Sequence, residues 1–192
     1  MEPILPTRPR WLCLAVALII VAIAGVSAHG QNAATTEPDK QLVFIEEHFD
    51  ASAGGEVPNL QAPYDVKVAP DGKHVYVASQ ADNAVSFFAR DSAAGTLTYI
   101  GDVDDVALGS NALKGARSIA VSPDGSYIYV ASMFAGTTAT LGGNLSTFSR
   151  DASTGELTFL GAIYDTDAGV DGLNGARTVA ISPMPFPFLS PS

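Results

Sequence analysis

The sequence is poor in cysteine and in positive charge. Its 192 residues include one cysteine, Cys13, and 10 basic residues against 20 acidic ones. A single cysteine cannot form an internal disulfide and excludes a cysteine-based zinc site. The formal net charge of −10 argues against a general nucleic-acid binder, because few cations are present to neutralise phosphates. The apolar share of 47% is nevertheless too high for a disordered chain, so we expect a globular domain.

The N-terminus has the pattern of a secretory signal peptide. Arg8 and Arg10 precede an uncharged, largely apolar stretch at residues 11–28 that ends in small residues. Such a segment is typical of a signal helix, here at residues 1–28, and predicts a secreted or periplasmic protein. An uncleaved anchor facing outward is the alternative, and in either case the membrane is met only through this segment. Residues 29–40 are predicted to form a disordered leader.

An internal repeat dominates the rest of the chain. The segment GARSIAVSP at residues 115–123 recurs as GARTVAISP at residues 175–183, sixty positions later. An earlier copy, APYDVKVAP, occupies residues 62–70, fifty-three positions before the middle one. One insertion within residues 132–144 explains the difference between the two periods, and insertions of this kind are how repeat proteins vary.

Each unit is predicted to contain four short strands. In the second unit, small and branched residues alternate at residues 118–122, and a Pro-Asp-Gly turn then leads into the aromatic and β-branched run YIYVA. Two further strand segments follow at residues 145–149 and 157–161, separated by a turn at residues 151–155. The first unit repeats this order. Four strands in a unit of about fifty residues are typical of a β-propeller blade and fit no helical solenoid.

Three motifs carry a resemblance to a known family. The segments GARSIAVSPDG, YIYVAS and FSRDASTGEL, with their copies, resemble the lactonase-like, YVTN-type β-propeller repeats. That family includes the seven-bladed 6-phosphogluconolactonase type, and the resemblance covers residues 41–183. The resemblance implies a propeller architecture. It specifies no activity, because the residues that match belong to strands and turns.

The strand inventory predicts an all-β fold: a partial β-propeller with two complete four-stranded blades and an extra strand at each end. Residues 42–45 match the last strand of a unit, and residues 177–182 match the innermost strand of a third unit. Residues 184–192 are predicted to form a proline-rich irregular tail, because proline cannot donate to a strand ladder. Since a closed ring needs ~4–8 blades, we expect either a truncated propeller or a short form that completes a ring as a homo-oligomer.

Three equivalent positions are candidate ligand-binding sites. Arg117 and Arg177 lie just before the innermost strand of their units, and Tyr64 takes this position in the first unit. In a closed propeller this position is near the central channel, where an arginine could bind the carboxylate or phosphate of a small anionic ligand. The alternative is an ion pair between such an arginine and an aspartate of a neighbouring loop.

The loops that join the units are acidic. Asp165, Asp167 and Asp171 supply oxygen ligands at a spacing that could suit calcium. The bidentate glutamate of an EF-hand is missing, so a solvated acidic loop is the alternative. No other cofactor is predicted.

No catalytic motif accompanies these positions. The sequence contains no G-x-S-x-G elbow, and His48 and His74 share no spacing that would suggest a metal pair or a dyad. The leading hypothesis is an exported, non-catalytic scaffold that binds a ligand or a protein partner. The alternatives are a lactone hydrolase, which only the family resemblance implies, and a structural surface protein that contributes blades to an assembly.

Overall fold

The computed structural model describes residues 43–134 and 142–182, and the backbone of residues 18–22. Strand β1 (Leu18–Ala22) pairs antiparallel with β2 (Val43–His48) in a two-stranded sheet. This corrects the expectation of a signal helix over those five residues, whose branched side chains suit a strand. The rest of the predicted signal segment and the leader lie outside the described residues. Within the described part, no helix is long and apolar enough to cross a membrane.

The first blade is an antiparallel sheet of four strands that are consecutive in sequence. Its strands are β3 (Pro63–Val68), β4 (His74–Ser79), β5 (Ala84–Arg90) and β6 (Leu97–Asp104). A Pro-Asp-Gly turn joins β3 to β4. Gly72 in this turn has a φ of 72°, a backbone conformation that residues with a side chain rarely adopt. The apolar run VYVA within β4 agrees with its position inside the sheet, where all six residues of the strand are buried.

The second blade repeats this order. Its strands are β7 (Ala116–Val121), β8 (Tyr127–Ser132), β9 (Asn144–Arg150) and β10 (Leu157–Tyr164). A single helical turn, α1 (Asp105–Leu108), lies in the loop that joins the two blades, and a short 3-10 helix (Ala51–Ala53) precedes the first. The prediction of two complete four-stranded blades and an all-β, partial propeller is confirmed.

The strand expected at residues 177–182 is not formed. In a blade the innermost strand is hydrogen-bonded by the second strand, and no second strand is present beside it among the described residues. The segment nevertheless follows the second blade as an innermost strand would: Val179 N–H donates to Ser118 Oγ at 3.3 Å. Ile119 N–H donates in the same way to Asp65 Oδ2 at 2.9 Å, one unit earlier.

The two blades pack face to face around one hydrophobic core. We call the side of each blade that carries Tyr76, or its equivalent Tyr129, the front face, and the opposite side the back face. Tyr76 and Phe87 on the front of the first blade contact a set of residues on the second blade that includes Ile128 and Phe148. Full burial of each such side chain contributes about 1.5–3 kcal/mol, so this contact stabilises the junction between the blades.

The back face of the first blade is covered by the chain that precedes it. Val57 and Leu60, both fully buried, pack there against a cluster that includes Val77 and Phe88. Asp50 holds this covering segment in shape, because its carboxylate accepts hydrogen bonds from the N–H groups of Ser52 at 2.8 Å and Leu60 at 2.9 Å. We refer to residues 48–60 as the N-terminal cover.

The front face of the second blade has no such cover among the described residues. Tyr127, Leu160 and Ile163 are 42%, 55% and 50% exposed there. Thr147, Leu160 and Ile163 also line a shallow depression together with Gly161 and Ala162. The front face of the first blade is apolar because the second blade buries it. The front face of the second blade repeats this apolar character but has no partner among the described residues. We call it the open face.

Candidate functional site

Tyr64 and Arg117 meet at the start of the two innermost strands. Each is the extra residue of a β-bulge, since the pairing register shifts between Pro63 and Asp65 in one blade and between Ala116 and Ser118 in the other. A bulge releases a side chain from the strict alternation of the sheet and can aim it in a new direction. Here the Arg117 guanidinium carbon lies 4.2 Å from the centroid of the Tyr64 ring, which is the geometry of a cation–π contact.

Arg117 keeps its charge available. It is half-buried, and its Nη1 lies against the Met133 sulfur, while Tyr64 is 52% exposed. Within residues 43–134 and 142–182, no carboxylate lies within ion-pair distance of this guanidinium. The ion pair with a loop aspartate, which was the alternative interpretation, is therefore not what positions Arg117. The partner is instead the residue at the same position of the preceding unit.

Arg177 is not brought into this pair. It is exposed at the start of the third segment, and none of its described contacts joins it to Tyr64 or Arg117. The candidate ligand-binding residues thus divide into one assembled pair and one separate arginine.

A carboxylate next to the pair serves the packing of the blades. Asp65 accepts hydrogen bonds from Ser118 Oγ at 3.0 Å and Ile119 N at 2.9 Å, and Lys67 Nζ lies 2.6 Å from its other oxygen. Partial burial alone would raise the pKa of Asp65, but Lys67 and the hydrogen bonds outweigh it and hold this pKa below its usual value. Asp65 is therefore ionised and occupied, which makes it a poor general base.

The acidic loops use their carboxylates to hold backbone groups. Asp105 Oδ1 accepts from Leu113 N at 2.6 Å, and Asp165 Oδ1, sixty positions later, accepts from Leu173 N at the same distance. Asp167 Oδ2 accepts from Tyr164 N at 2.9 Å. Asp105 and Asp165 are therefore equivalent because each holds the backbone of its loop through the same hydrogen bond.

The calcium hypothesis gains no support from this geometry. The carboxylates of Asp165 and Asp167 are directed to different backbone groups, and Asp171 has no described contact with either. In the part of the chain that the structure describes, no three histidine, cysteine, aspartate or glutamate residues are grouped as a metal would require. The calcium site at Asp165, Asp167 and Asp171 stays a sequence prediction.

A buried arginine network joins the blades, and sequence reasoning missed it. Arg150, whose side chain is 1% exposed, donates from Nε to Tyr76 Oη at 2.8 Å and from Nη1 to the Gly125 carbonyl at 3.1 Å. Its Nη2 lies 2.7 Å from both Asp71 Oδ2 and His74 Nδ1. Since arginine can only donate, His74 must accept at Nδ1 and is neutral there.

His74 serves this network, with its Nδ1 already accepting from Arg150. Burial first, and then the Arg150 charge, lower the pKa of the His74 imidazole. The other described histidine in the predicted repeats, His48, packs its ring 5.4 Å from that of Phe88 under the N-terminal cover. Neither imidazole contacts Tyr64 or Arg117. A signal for the network was available in the sequence, because Arg150 and the Pro-Asp-Gly turn of the preceding unit both recur.

Comparison with known proteins supports the architecture. A family model described as lactonase, 7-bladed beta-propeller, matches residues 31–171. No curated protein matches. Among solved structures, a candidate 6-phosphogluconolactonase from Bacteroides fragilis is 27% identical, with a TM-score of 0.51 over 69% of this chain and 31% of its own. The periplasmic gluconolactonase of Pseudomonas aeruginosa is 21% identical, with a TM-score of 0.53 over 78% of this chain and 34% of its own.

The chain thus spans about a third of the length of these solved relatives. Its two blades, their order and the strands within them agree with a partial propeller, and the family match covers most of the sequence. The chain belongs to the lactonase family of seven-bladed β-propellers.

Proposed function

We propose that this chain is an exported, ligand-binding propeller module, and that Tyr64 and Arg117 form its anion-binding site. The observation that carries the proposal is the position of both residues as bulge residues on adjacent innermost strands, with the guanidinium held 4.2 Å from the ring and unpaired by any described carboxylate. A strand residue whose role is only packing has no need of such re-aiming.

The chemistry of the pair suits a small carboxylate or phosphate. The tyrosine ring holds one face of the planar guanidinium and Nη1 lies against the Met133 sulfur, so the N–H groups of Nε and Nη2 are the ones that can donate to an anion in a bidentate manner. The partly exposed ring of Tyr64 adds an apolar wall and a hydroxyl. A sugar acid, which combines a carboxylate with hydroxyls, is the ligand class that fits these groups.

A lactone hydrolase is the second candidate, and the family match is what favours it. Hydrolysis of a lactone needs a base to activate water or a nucleophile. Around the pair, the described carboxylate is Asp65, which is already bound to Lys67 and to two donors of the second blade. The binding role therefore ranks above the catalytic one for the residues of these two blades.

Calorimetric titration with D-gluconate tests the binding role. Arg117→Ala removes hydrogen bonds to a charged ligand, each worth about 1.5–3 kcal/mol, so its affinity should fall about tenfold or more. Lys73→Ala is the matched control, because it removes one positive charge from an exposed hairpin residue of the first blade. Equal affinities of the wild-type protein and both variants would refute the site.

The same proteins distinguish the second candidate. Hydrolysis of D-glucono-1,5-lactone is followed against its spontaneous rate. A rate above this background that is lost in Arg117→Ala would rank the hydrolase above the scaffold. Binding without turnover would support the scaffold.

Export and assembly are parts of the proposal that need their own tests. The basic and apolar N-terminus supports export, which fractionation of cells expressing the full chain would test.

The open face supports the third alternative, a structural protein that contributes blades to an assembly. Head-to-tail addition of a second copy would have to displace the N-terminal cover, because this segment occupies the back face of the first blade. Light scattering gives the mass in solution.

A further inference from the structure

We propose that Met133 is an oxidation site of this protein, and that its sulfoxide displaces Arg117 from the ring of Tyr64. The modification follows from the contacts of the Met133 sulfur and needs no ligand. Its consequence for binding rests on the proposed anion site, because Arg117 is the residue that would hold the anion. We therefore expect the oxidised protein to bind anions more weakly than the reduced one.

Two side-chain donors from different blades converge on the Met133 sulfur. Arg117 Nη1 lies 2.6 Å from Sδ, and Gln80 Nε2 donates to the same atom at 3.4 Å. A thioether is a weak acceptor, so neither the charged donor nor the amide donor gains much from it. Oxidation would turn the side chain polar and give it an oxygen that accepts hydrogen bonds. Both donors would then stabilise the oxidised form.

The repeat indicates that a polar acceptor fits at this position. Met133 follows β8 as Gln80 follows β4, and the two residues are fifty-three positions apart, which is the spacing of the first two units. Glutamine and methionine sulfoxide both have two methylene groups followed by a centre that carries one acceptor oxygen. Met133 is half-buried, so a small peroxide can reach its side chain.

The reaction is a two-electron oxidation by a hydroperoxide, of which hydrogen peroxide is the simplest. A lone pair of the sulfur attacks one peroxide oxygen, so that a sulfur–oxygen bond forms and the oxygen–oxygen bond breaks. The departing hydroxide takes the proton of the transferred oxygen and leaves as water. The sulfur loses two electrons and the peroxide gains them, so no further reactant is needed.

The new oxygen has no room between Met133 and Arg117. The 2.6 Å that separates Nη1 from Sδ is already shorter than the ~2.9 Å between nitrogen and oxygen in an ordinary hydrogen bond. The guanidinium must therefore move away from the sulfur before it can donate to the sulfoxide oxygen. Its carbon lies 4.2 Å from the centroid of the Tyr64 ring in the reduced protein, and this movement breaks that contact.

Nuclear magnetic resonance of the full chain, before and after treatment with hydrogen peroxide, tests the modification without a ligand. Mass spectrometry should show a sulfoxide at Met133, and the signals of the Arg117 Nε–H and the Tyr64 ring should shift. Met133→Leu is the control, because it keeps an apolar side chain of similar size while Met1 and Met184 remain available to the peroxide. Absence of the sulfoxide at Met133, unchanged signals, or the same shifts in Met133→Leu would overturn the proposal.

Calorimetric titration with D-gluconate measures the consequence for binding. Peroxide should lower the affinity of the wild-type protein about two- to fivefold, the factor expected from loss of an exposed cation–π contact, and should leave that of Met133→Leu unchanged. Met133→Gln imitates the sulfoxide and should lower the affinity without peroxide. Equal affinities of the reduced protein, the oxidised protein and Met133→Gln would overturn the proposed effect. If the reduced protein binds no gluconate, the anion site itself is refuted and the resonance shifts decide on the modification.

Discussion

Replacement of Arg150 by methionine should destabilise the protein more than any other single change at a charged residue of the repeats. Methionine retains the length of the side chain but removes four polar contacts: Tyr76, Gly125, Asp71 and His74. Three of these partners lie in the first blade, so the substitution weakens the junction between the blades and leaves the strands of each blade intact.

The magnitude follows from burial. Removing one member of a buried ion pair costs ~3–5 kcal/mol. The arginine side chain is 1% exposed, whereas that of Asp71 is 30% exposed and can regain water. The cost should therefore lie near the lower end, about 3 kcal/mol, which for a chain of this size corresponds to a melting temperature lower by roughly 6–12 °C.

The repeat supplies a matched control. Arg90 holds the equivalent position in the first blade, is half-buried, and makes one described hydrogen bond, from Nη1 to the Gly72 carbonyl at 3.2 Å. Arg90→Met should therefore cost only about 1 kcal/mol. Urea unfolding of both variants, followed by circular dichroism, measures the two values. Equal losses would refute the view that Arg150 joins the blades.

Three further predictions concern pH and backbone geometry. Burial raises the pKa of Asp105 to about 6, so the folded state is destabilised by ionisation of this carboxyl as pH rises through 6. Asp105→Asn should therefore raise the free energy of unfolding by about 1 kcal/mol at pH 8, with little change at pH 4. Asp165→Asn is the control for the introduction of an amide. Burial lowers the pKa of His74, so the unfolded chain binds the proton first and this residue should lower stability as pH decreases below 6.5. Because Asp105 acts in the opposite sense over this range, the test is made in Asp105→Asn, where a urea midpoint that changes equally between pH 7.5 and 5.5 with and without His74→Gln would contradict the prediction. Gly155→Ala should lower the melting temperature more than Gly169→Ala, because both have a φ near 80° but an added Cβ meets the His74 ring 2.4 Å away only at Gly155.

The repeat made most of the fold predictable from sequence. The alternation of side chains and the Pro-Asp-Gly turns depend on neighbouring residues alone. The eight strands of the two blades could therefore be predicted from the sequence pattern. A strand also needs a hydrogen-bonding partner, and for this reason residues 177–182 did not form one despite their matching sequence. The run Leu18–Ala22 shows the converse, since an apolar segment with a helix-like signal pattern became a strand when β2 offered a partner.

The candidate site was predictable only in part. Repeat equivalence identified Tyr64, Arg117 and Arg177, but the contact between the first two depends on bulges that alter the register by one residue. Spacing identified Asp165 as a candidate calcium ligand, whereas in the structure it holds a loop backbone, as Asp105 does one unit earlier. The role of Arg150 depends on contacts across the blade junction, which the order of residues along one unit does not specify.

The most direct test of the proposed anion site is a nuclear magnetic resonance titration of the protein with D-gluconate. The account predicts that the ring protons of Tyr64 and the Nε–H of Arg117 shift with one saturation curve, while those of Tyr127 on the open face stay unchanged. Saturable shifts confined to other residues, with Tyr64 and Arg117 unaffected, would contradict it.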